Sequence, residues 1–218
     1  MEINNQTLVV FDLDDTLYKE IDFVKSAYKE ISRIIELQTG TNIYDELFFL
    51  FKKKADVFDF ILKKYPTTLS LQDLIDVYRY HIPNIQPVKE IIRFINKCND
   101  NVSAFCLITD GKSVTQRNKL KALGLIDLFK DNLYISQEVG YTKINEYSFL
   151  SILNKYPNNN FIYFADNAKK DFLIPNKLGW VTYQIQDINN IHDSFIEVPN
   201  GYAAQNKITY KFFENEFN

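Results

Sequence analysis

The chain has 218 residues, 46% of them hydrophobic, which suffices for one well-buried domain with a sizeable insertion and excludes a disordered chain. Lys and Arg number 25 against 28 Asp and Glu, a formal charge of −3, so no overall basic surface points to nucleic acid or an anionic membrane. Two cysteines, Cys98 and Cys106, are too few for a disulfide framework, and His81 and His192 have no partner at zinc-ligand spacing.

Residues 7–11 form a short apolar run rich in Val and Phe, which reads as a buried strand delivering Asp12 to its carboxyl edge. The run is too short for a signal-peptide core or a membrane span, and with thiols expected to be reduced this predicts a cytoplasmic protein. From 17 to 82 the pattern becomes helical, without strand signals. Phe23, Ala27, Ile31, Ile34 and Ile35 recur until Gly40, and Leu47, Phe51, Ala55, Phe58 and Leu62 continue as a second helix until Pro66. Ser70-Leu71-Gln72-Asp73 resembles a capping box and opens a third helix toward His81. The aromatic stripe of Phe48, Phe49, Phe51, Phe58 and Phe60 is expected to be the packed interior of this insertion rather than a ligand cage. A helical lid mounted above the strand ends can exclude water and choose substrates.

Pro87 suits the first turn of a helix over 88–98. A strand over 103–108 then ends in Thr109-Asp110-Gly111, followed by a helix over 114–123 that closes at Gly124. A weaker strand over 133–135, a helix over 146–153, a strand over 161–165 ending in Asp166-Asn167, a helix over 170–178 and a final strand over 180–184 complete the alternation. Residues 187–218 carry no clear pattern. Strand and helix in alternation predict an α/β fold with a parallel sheet covered on both faces, divided into a core of 1–16 and 83–218 and a helical insertion of 17–82.

In such sheets ligands bind beyond the carboxyl ends of the strands, where Asp12, Asp14, Thr109, Lys143 and Asp166 fall. One acidic strand end is explained equally well as a turn-former; the convergence of several is not. Magnesium is a hard cation that takes oxygen ligands, so Asp12 and Asp166 with a backbone carbonyl make a suitable site and lose their mutual repulsion. A carboxylate such as Asp12 can also attack phosphorus directly, and Asp14, two residues on, can protonate the leaving alkoxide and later deprotonate water. Asp15 is expected to face away, as a solvent or helix-start residue. Thr109 with the amides of Asp110 and Gly111 offers donors to phosphate oxygens, and Lys143 supplies a positive charge to the phosphate and to Asp12.

These motifs resemble those of the haloacid dehalogenase-like hydrolases: Asp12-Leu13-Asp14-Asp15-Thr16, then Ile108-Thr109-Asp110-Gly111, then Lys143, then Asp166-Asn167-Ala168-Lys169-Lys170-Asp171-Phe172, in the family's order over 7–185. Two departures stand out: Ala165 where the family usually has Gly, and Ile144 where it often has Pro. The resemblance implies a Rossmann-like, doubly wound core with a helical cap inserted after the first strand. It further implies Asp12 as nucleophile and Mg2+ ligand, Asp14 as general acid/base and carbonyl ligand to the metal, Asp166 as an acidic ligand, and Asp171 orienting Lys143 or a metal-bound water. An Asp in the first turn of a helix is also common for dipole reasons alone.

The expected activity is a Mg2+-dependent phosphomonoesterase acting through a phosphoaspartate on a small soluble phosphorylated metabolite, a sugar phosphate or nucleotide, by a monomer or homodimer. A phosphomutase shares this chemistry, with Lys19, Lys25, Arg33 and Arg79 of the lid as the available donors; Tyr18, Lys19 and Glu20 start the lid and approach the leaving group. A haloacid dehalogenase would need no leaving-group acid such as Asp14. A non-catalytic phosphate-binding module is disfavoured by the length of the chain and by the presence of all four motifs.

Overall fold

A six-stranded sheet, every pairing of it parallel, organises the computed structural model, which describes residues 3–215. Its strands are β1 (Thr7–Phe11), β2 (Ala104–Thr109), β3 (Leu133–Ile135), β4 (Asn160–Ala165), β5 (Val181–Ile185) and β6 (Asn206–Ile208), in the order β3-β2-β1-β4-β5-β6. The central strand β1 is buried at every residue because both faces of the sheet are covered. Alternation along the pleat divides its side chains between two cores. Val9 and Phe11 join Phe105, Leu107, Ile162 and Phe164 on one face, while Leu8 and Val10 join Cys106, Ile108, Phe161 and Tyr163 on the other. On the first face Phe11 stacks on Phe164 at 5.5 Å; on the second, Trp180 stacks on Phe161 at 4.6 Å.

Between β1 and the next core helix lie α1 (Glu20–Thr39), α2 (Tyr44–Lys52), α3 (Val57–Lys64) and α4 (Leu71–Tyr80). They pack around their own apolar centre, with Ile31, Ile35, Leu47, Ile61 and Leu74 fully buried, each worth about 1.5–3 kcal/mol of burial. Gly40 ends α1 in the left-handed region at φ 74°, and Ser70 with Asp73 forms the expected capping box of α4. Two expectations are corrected. The single second helix is two, because Lys54 takes φ 55° and Asp56 caps a new helix through the N–H of Asp59 at 3.0 Å. Phe49 is not interior but 58% exposed, since it lies off the stripe that buries Leu47.

The remaining helices are α5 (Lys89–Cys98), α6 (Ser113–Ala122), α7 (Ile126–Phe129), α8 (Ser136–Val139), α9 (Tyr147–Lys155), α10 (Leu173–Lys177) and α11 (Phe212–Asn215). Helix α10 starts three residues later than the sequence pattern suggests, because 167–172 form a turn in which the carboxylate of Asp171 accepts the N–H of Asn167 at 3.0 Å. Asp171 therefore is not a first-turn helix residue. The unpatterned segment after 187 contains β6 and α11; Tyr210 and Phe213 from it are buried in the core against the β1 face that carries Phe11. Residues 1, 2 and 216–218 of the expected core lie outside the described residues.

The helical segment leaves and re-enters the core at one point, where the Val88 N–H donates to the Leu17 carbonyl at 2.9 Å and Tyr18 bridges to Pro87. It rests on α6, with Asn118 Nδ2 donating to the Tyr80 carbonyl at 3.2 Å. No helix among the described residues is long and apolar enough to cross a membrane.

Candidate active site

Register alone brings the polar strand ends together. Phe11 pairs with both Leu107 and Phe164, so the residues just beyond these, Asp12, Thr109 and Asp166, emerge side by side at the carboxyl edge of the sheet. Asp12 is only 3% exposed, and its N–H donates to the Phe164 carbonyl at 2.9 Å.

Lys143, on the turn after α8, is fully buried with its ammonium 2.5 Å from Asp12 Oδ1 and 3.0 Å from Asp171 Oδ1. Burial opposes its charge, but Asp12 and Asp171 outweigh that and raise its pKa well above the usual lysine value. The Lys143 N–H donates to the Asp110 carboxylate at 3.0 Å, so Asp110 secures the lysine's loop.

One carboxylate oxygen from each of Asp12, Asp166 and Asp171 lies within 4.8 Å of the others. Burial, together with Asp171 and Asp12, pushes the Asp166 carboxyl up to about 9. Burial likewise pushes Asp12 up to about 6, against the pull of Lys143. Asp166 Oδ2 is buried with no hydrogen-bond partner. Three buried carboxylates with one lysine among them and an orphaned oxygen suit a hard divalent cation, which supplies the missing positive charge and takes oxygen ligands. Asp171, expected only to orient other groups, is part of this cluster.

The carboxylate of Asp14 stands apart from it. Lys119 Nζ lies 2.7 Å from Asp14 Oδ1, Gln116 Nε2 donates to Asp14 Oδ2 at 3.0 Å, and the Tyr18 hydroxyl donates to Oδ1. Burial alone would raise its pKa, but Lys119, Tyr18 and Gln116 hold it below the usual carboxylate range. Gln116 also donates to Thr109 Oγ1 at 2.6 Å, linking this network to the hydroxyl expected on phosphate. Neither Gln116 nor Lys119 stands out in the sequence. Their signal is a Gln-x-x-Lys spacing in step with Leu120 on the buried side of α6.

Other expectations change in detail. The Gly111 N–H, expected to face a ligand, donates to Ser136 Oγ at 2.9 Å. Asp15 does face away, but not toward solvent: it is fully buried, and its carboxylate accepts the N–H of Glu20, the first residue of α1, at 2.9 Å. Of the lid cations, Lys19 pairs with Asp187 at 2.7 Å, Lys25 with Asp22 at 2.9 Å and Arg33 with Glu30 at 2.7 Å, while Arg79 is exposed near the end of α4. Tyr18 reaches the site through Asp14, and Glu20 lies close enough for its carboxyl to be pushed up to about 8 by burial and then by Asp14.

Residues 6–173 match the family model of the haloacid dehalogenase-like hydrolases. The chain is 26% identical over 192 residues to the glyceraldehyde 3-phosphate phosphatase of Methanocaldococcus jannaschii, covering 81% of this chain and 83% of that protein. It is 25% identical over 200 residues to the protein of the same name from Methanopyrus kandleri, covering 82% and 83%. Among solved structures it resembles the magnesium-bound HAD-hydrolase YfnB from Bacillus subtilis, with a TM-score of 0.69 at 18% identity over 99% of both chains. A HAD phosphatase from Thermococcus onnurineus gives a TM-score of 0.59 at 19% identity over 95% of this chain and 96% of that one. At these identities the structural likeness establishes the fold.

Proposed function

The chain belongs to the haloacid dehalogenase-like hydrolases, and on that premise we propose that it hydrolyses phosphoric monoesters of small metabolites, sugar phosphates foremost. The observation that carries this reading is the contrast between Asp12 and Asp14. Two residues apart in sequence, they occupy opposite surroundings: Asp12 sits in the acidic cluster beside Lys143, and Asp14 outside it beside Lys119. The names of the two archaeal relatives support a sugar-phosphate substrate.

In this reading an oxygen of Asp12 attacks phosphorus, forming an aspartyl phosphate as the bond to the substrate oxygen breaks, and Asp14 gives that oxygen its proton. Water then attacks phosphorus and passes a proton to Asp14. The aspartyl–phosphate bond breaks, Asp12 is regained and inorganic phosphate leaves. Burial favours the protonated Asp14 that the first half needs, and Lys119, Tyr18 and Gln116 favour the ionised form that the second needs, the latter prevailing before substrate binds. Lys143 holds Asp12 in place and, with Thr109, lines the phosphate site, whose walls Asp110 and Gly111 fix through the Lys143 N–H and Ser136. Asp12, Asp166 and the Asp14 main-chain carbonyl would hold Mg2+, with Asp171 beside them; when bound it neutralises charge on the transferring phosphoryl group. The YfnB structure, bound to magnesium, supports that choice of metal.

Helices α1–α4, over 17–82, act as a cap on a core of 1–16 and 83–218, which their separate apolar centre supports. Both cysteines are unpaired and buried, as suits the reducing cytoplasm. The test is release of phosphate from p-nitrophenyl phosphate with Mg2+: the wild type turns it over, and Asp12→Asn abolishes the turnover. Full activity of Asp12→Asn would overturn the mechanism.

A further inference from the structure

Asp15 holds two segments of chain beside the site. Its backbone is in the left-handed region at φ 53°, and its carboxylate accepts the Glu20 N–H at 2.9 Å through Oδ1 and the Ile191 N–H at 2.8 Å through Oδ2. The first donor opens α1; the second belongs to the loop between β5 and β6, far away in sequence. Ile191 packs against the apolar centre of the helical segment, and neighbouring His192 feels the charges of Lys170, Asp171 and Asp14. The loop therefore lies between cap and core at the edge of the site.

Each segment brings a polar side chain with no protein partner. The Glu20 carboxyl makes no hydrogen bond or ion pair among the described residues, and both Nδ2 and Oδ1 of Asn190 are buried without a partner. The buried Asn190 amide is unfavourable until a ligand satisfies it, whereas the half-exposed Glu20 carboxyl is open to solvent and free to receive one. We propose that Glu20 and Asn190 are specificity-determining residues that bind the hydroxyl groups of an uncharged, polyol-like leaving group. This rests on the phosphatase reading and deepens it.

The chemistry fits hydroxyls, which donate and accept at once. An amide offers both functions, and a carboxyl pushed up to about 8 does so near neutrality. Most of the cations that a second anionic group on the substrate could meet are already paired. Lys19 is committed to Asp187, Lys119 to Asp14 and Lys143 to Asp12 and Asp171, while Asp14 and Asp15 make the potential around Glu20 negative. Lys170 pairs with Asp110 at 3.9 Å and acts on His192 from there.

The experiment compares kcat/KM in Mg2+ for glycerol 3-phosphate, a neutral polyol ester, for 2-phosphoglycolate, an anionic one, and for p-nitrophenyl phosphate, which has no hydroxyls to bind. The wild type is expected to favour the polyol over the anionic ester by about tenfold or more. Glu20→Ala and Asn190→Ala are each expected to lower the ratio of polyol to p-nitrophenyl turnover by about tenfold, chiefly through KM, and Glu20→Gln to restore most of it. Preference for the anionic ester, or an equal loss on both substrates in variants that melt like the wild type, overturns the proposal. If Glu20→Ala fails to fold, Asn190→Ala carries the same test. Absence of turnover for every ester, p-nitrophenyl phosphate included, overturns the phosphatase reading and this inference with it.

Discussion

Lys143 Nζ lies 2.5 Å from Asp12 Oδ1, a contact between two side chains almost wholly withdrawn from water. The ammonium also serves Asp171, so its removal strands two buried carboxylates at once. Lys143→Met is expected to cost about 3–5 kcal/mol of stability in metal-free buffer, the range for breaking a buried pair from one side. Urea denaturation measures this; a loss below about 1 kcal/mol would show that the pair carries little.

The carboxyls of the cluster predict how stability follows pH. Asp12 is pushed up to about 6 and Asp166 to about 9, both above the ordinary 3.8, so the folded chain binds these protons more tightly than the unfolded chain does. Their contribution is complete below the unfolded pKa and is lost as pH rises, through about 6 for Asp12 and about 9 for Asp166. Without divalent metal, melting temperature should therefore fall between mildly acidic and mildly alkaline buffer. Mg2+ selects the ionised forms, so the rise it produces over EDTA should be larger on the alkaline side. Thermal melts at both ends with and without Mg2+ check the sign.

Gly111 holds φ 152°, and a Cβ there would meet Gln116 Cδ at 3.0 Å. Gly111→Ala therefore strains the turn and pushes on the side chain that ties Thr109 to Asp14. The expected result is a drop in kcat/KM of about 10- to 100-fold, as for a small misplacement of reacting groups, with a stability loss of about 1–3 kcal/mol. Steady-state kinetics and denaturation on one preparation separate the two.

Tyr210 donates its hydroxyl to the Asp15 main-chain carbonyl at 2.8 Å, while Lys19 Nζ sits 3.7 Å from the centre of its ring. Tyr210→Phe keeps the ring and removes only the hydrogen bond. A loss of about 1 kcal/mol is expected, read as a lower denaturant midpoint at unchanged slope.

What the sequence reveals and what it hides follow from the same physics. The run ending at Phe11 is legible because a strand buried on both faces must be apolar throughout, so the carboxylate at its end announces an edge. The break between α2 and α3 is hidden because Lys53, Lys54 and Ala55 include neither Gly nor Pro, and the left-handed turn falls on a lysine. Lys119 and Gln116 are invisible because a polar residue on a helix reads as solvated until its partner, about a hundred positions earlier, is known. Strand β6 has three residues at the sheet's edge, half-covered, and so carries little apolar signal. Asp15 reads as a solvent or helix-start residue; it bonds the first N–H of α1 but is buried, and its second bond to the Ile191 N–H depends on a chain return that no local pattern encodes.

The bond between the Val88 N–H and the Leu17 carbonyl joins the outgoing and returning chains at a single narrow neck. An altered set of helices can be grafted there without changing the spacing of the two chain ends it must join, and without disturbing the register that aligns Asp12 with Asp166. Evolution can in this way diversify what is recognised while leaving inherited reactivity alone, and a protein engineer can make the same exchange.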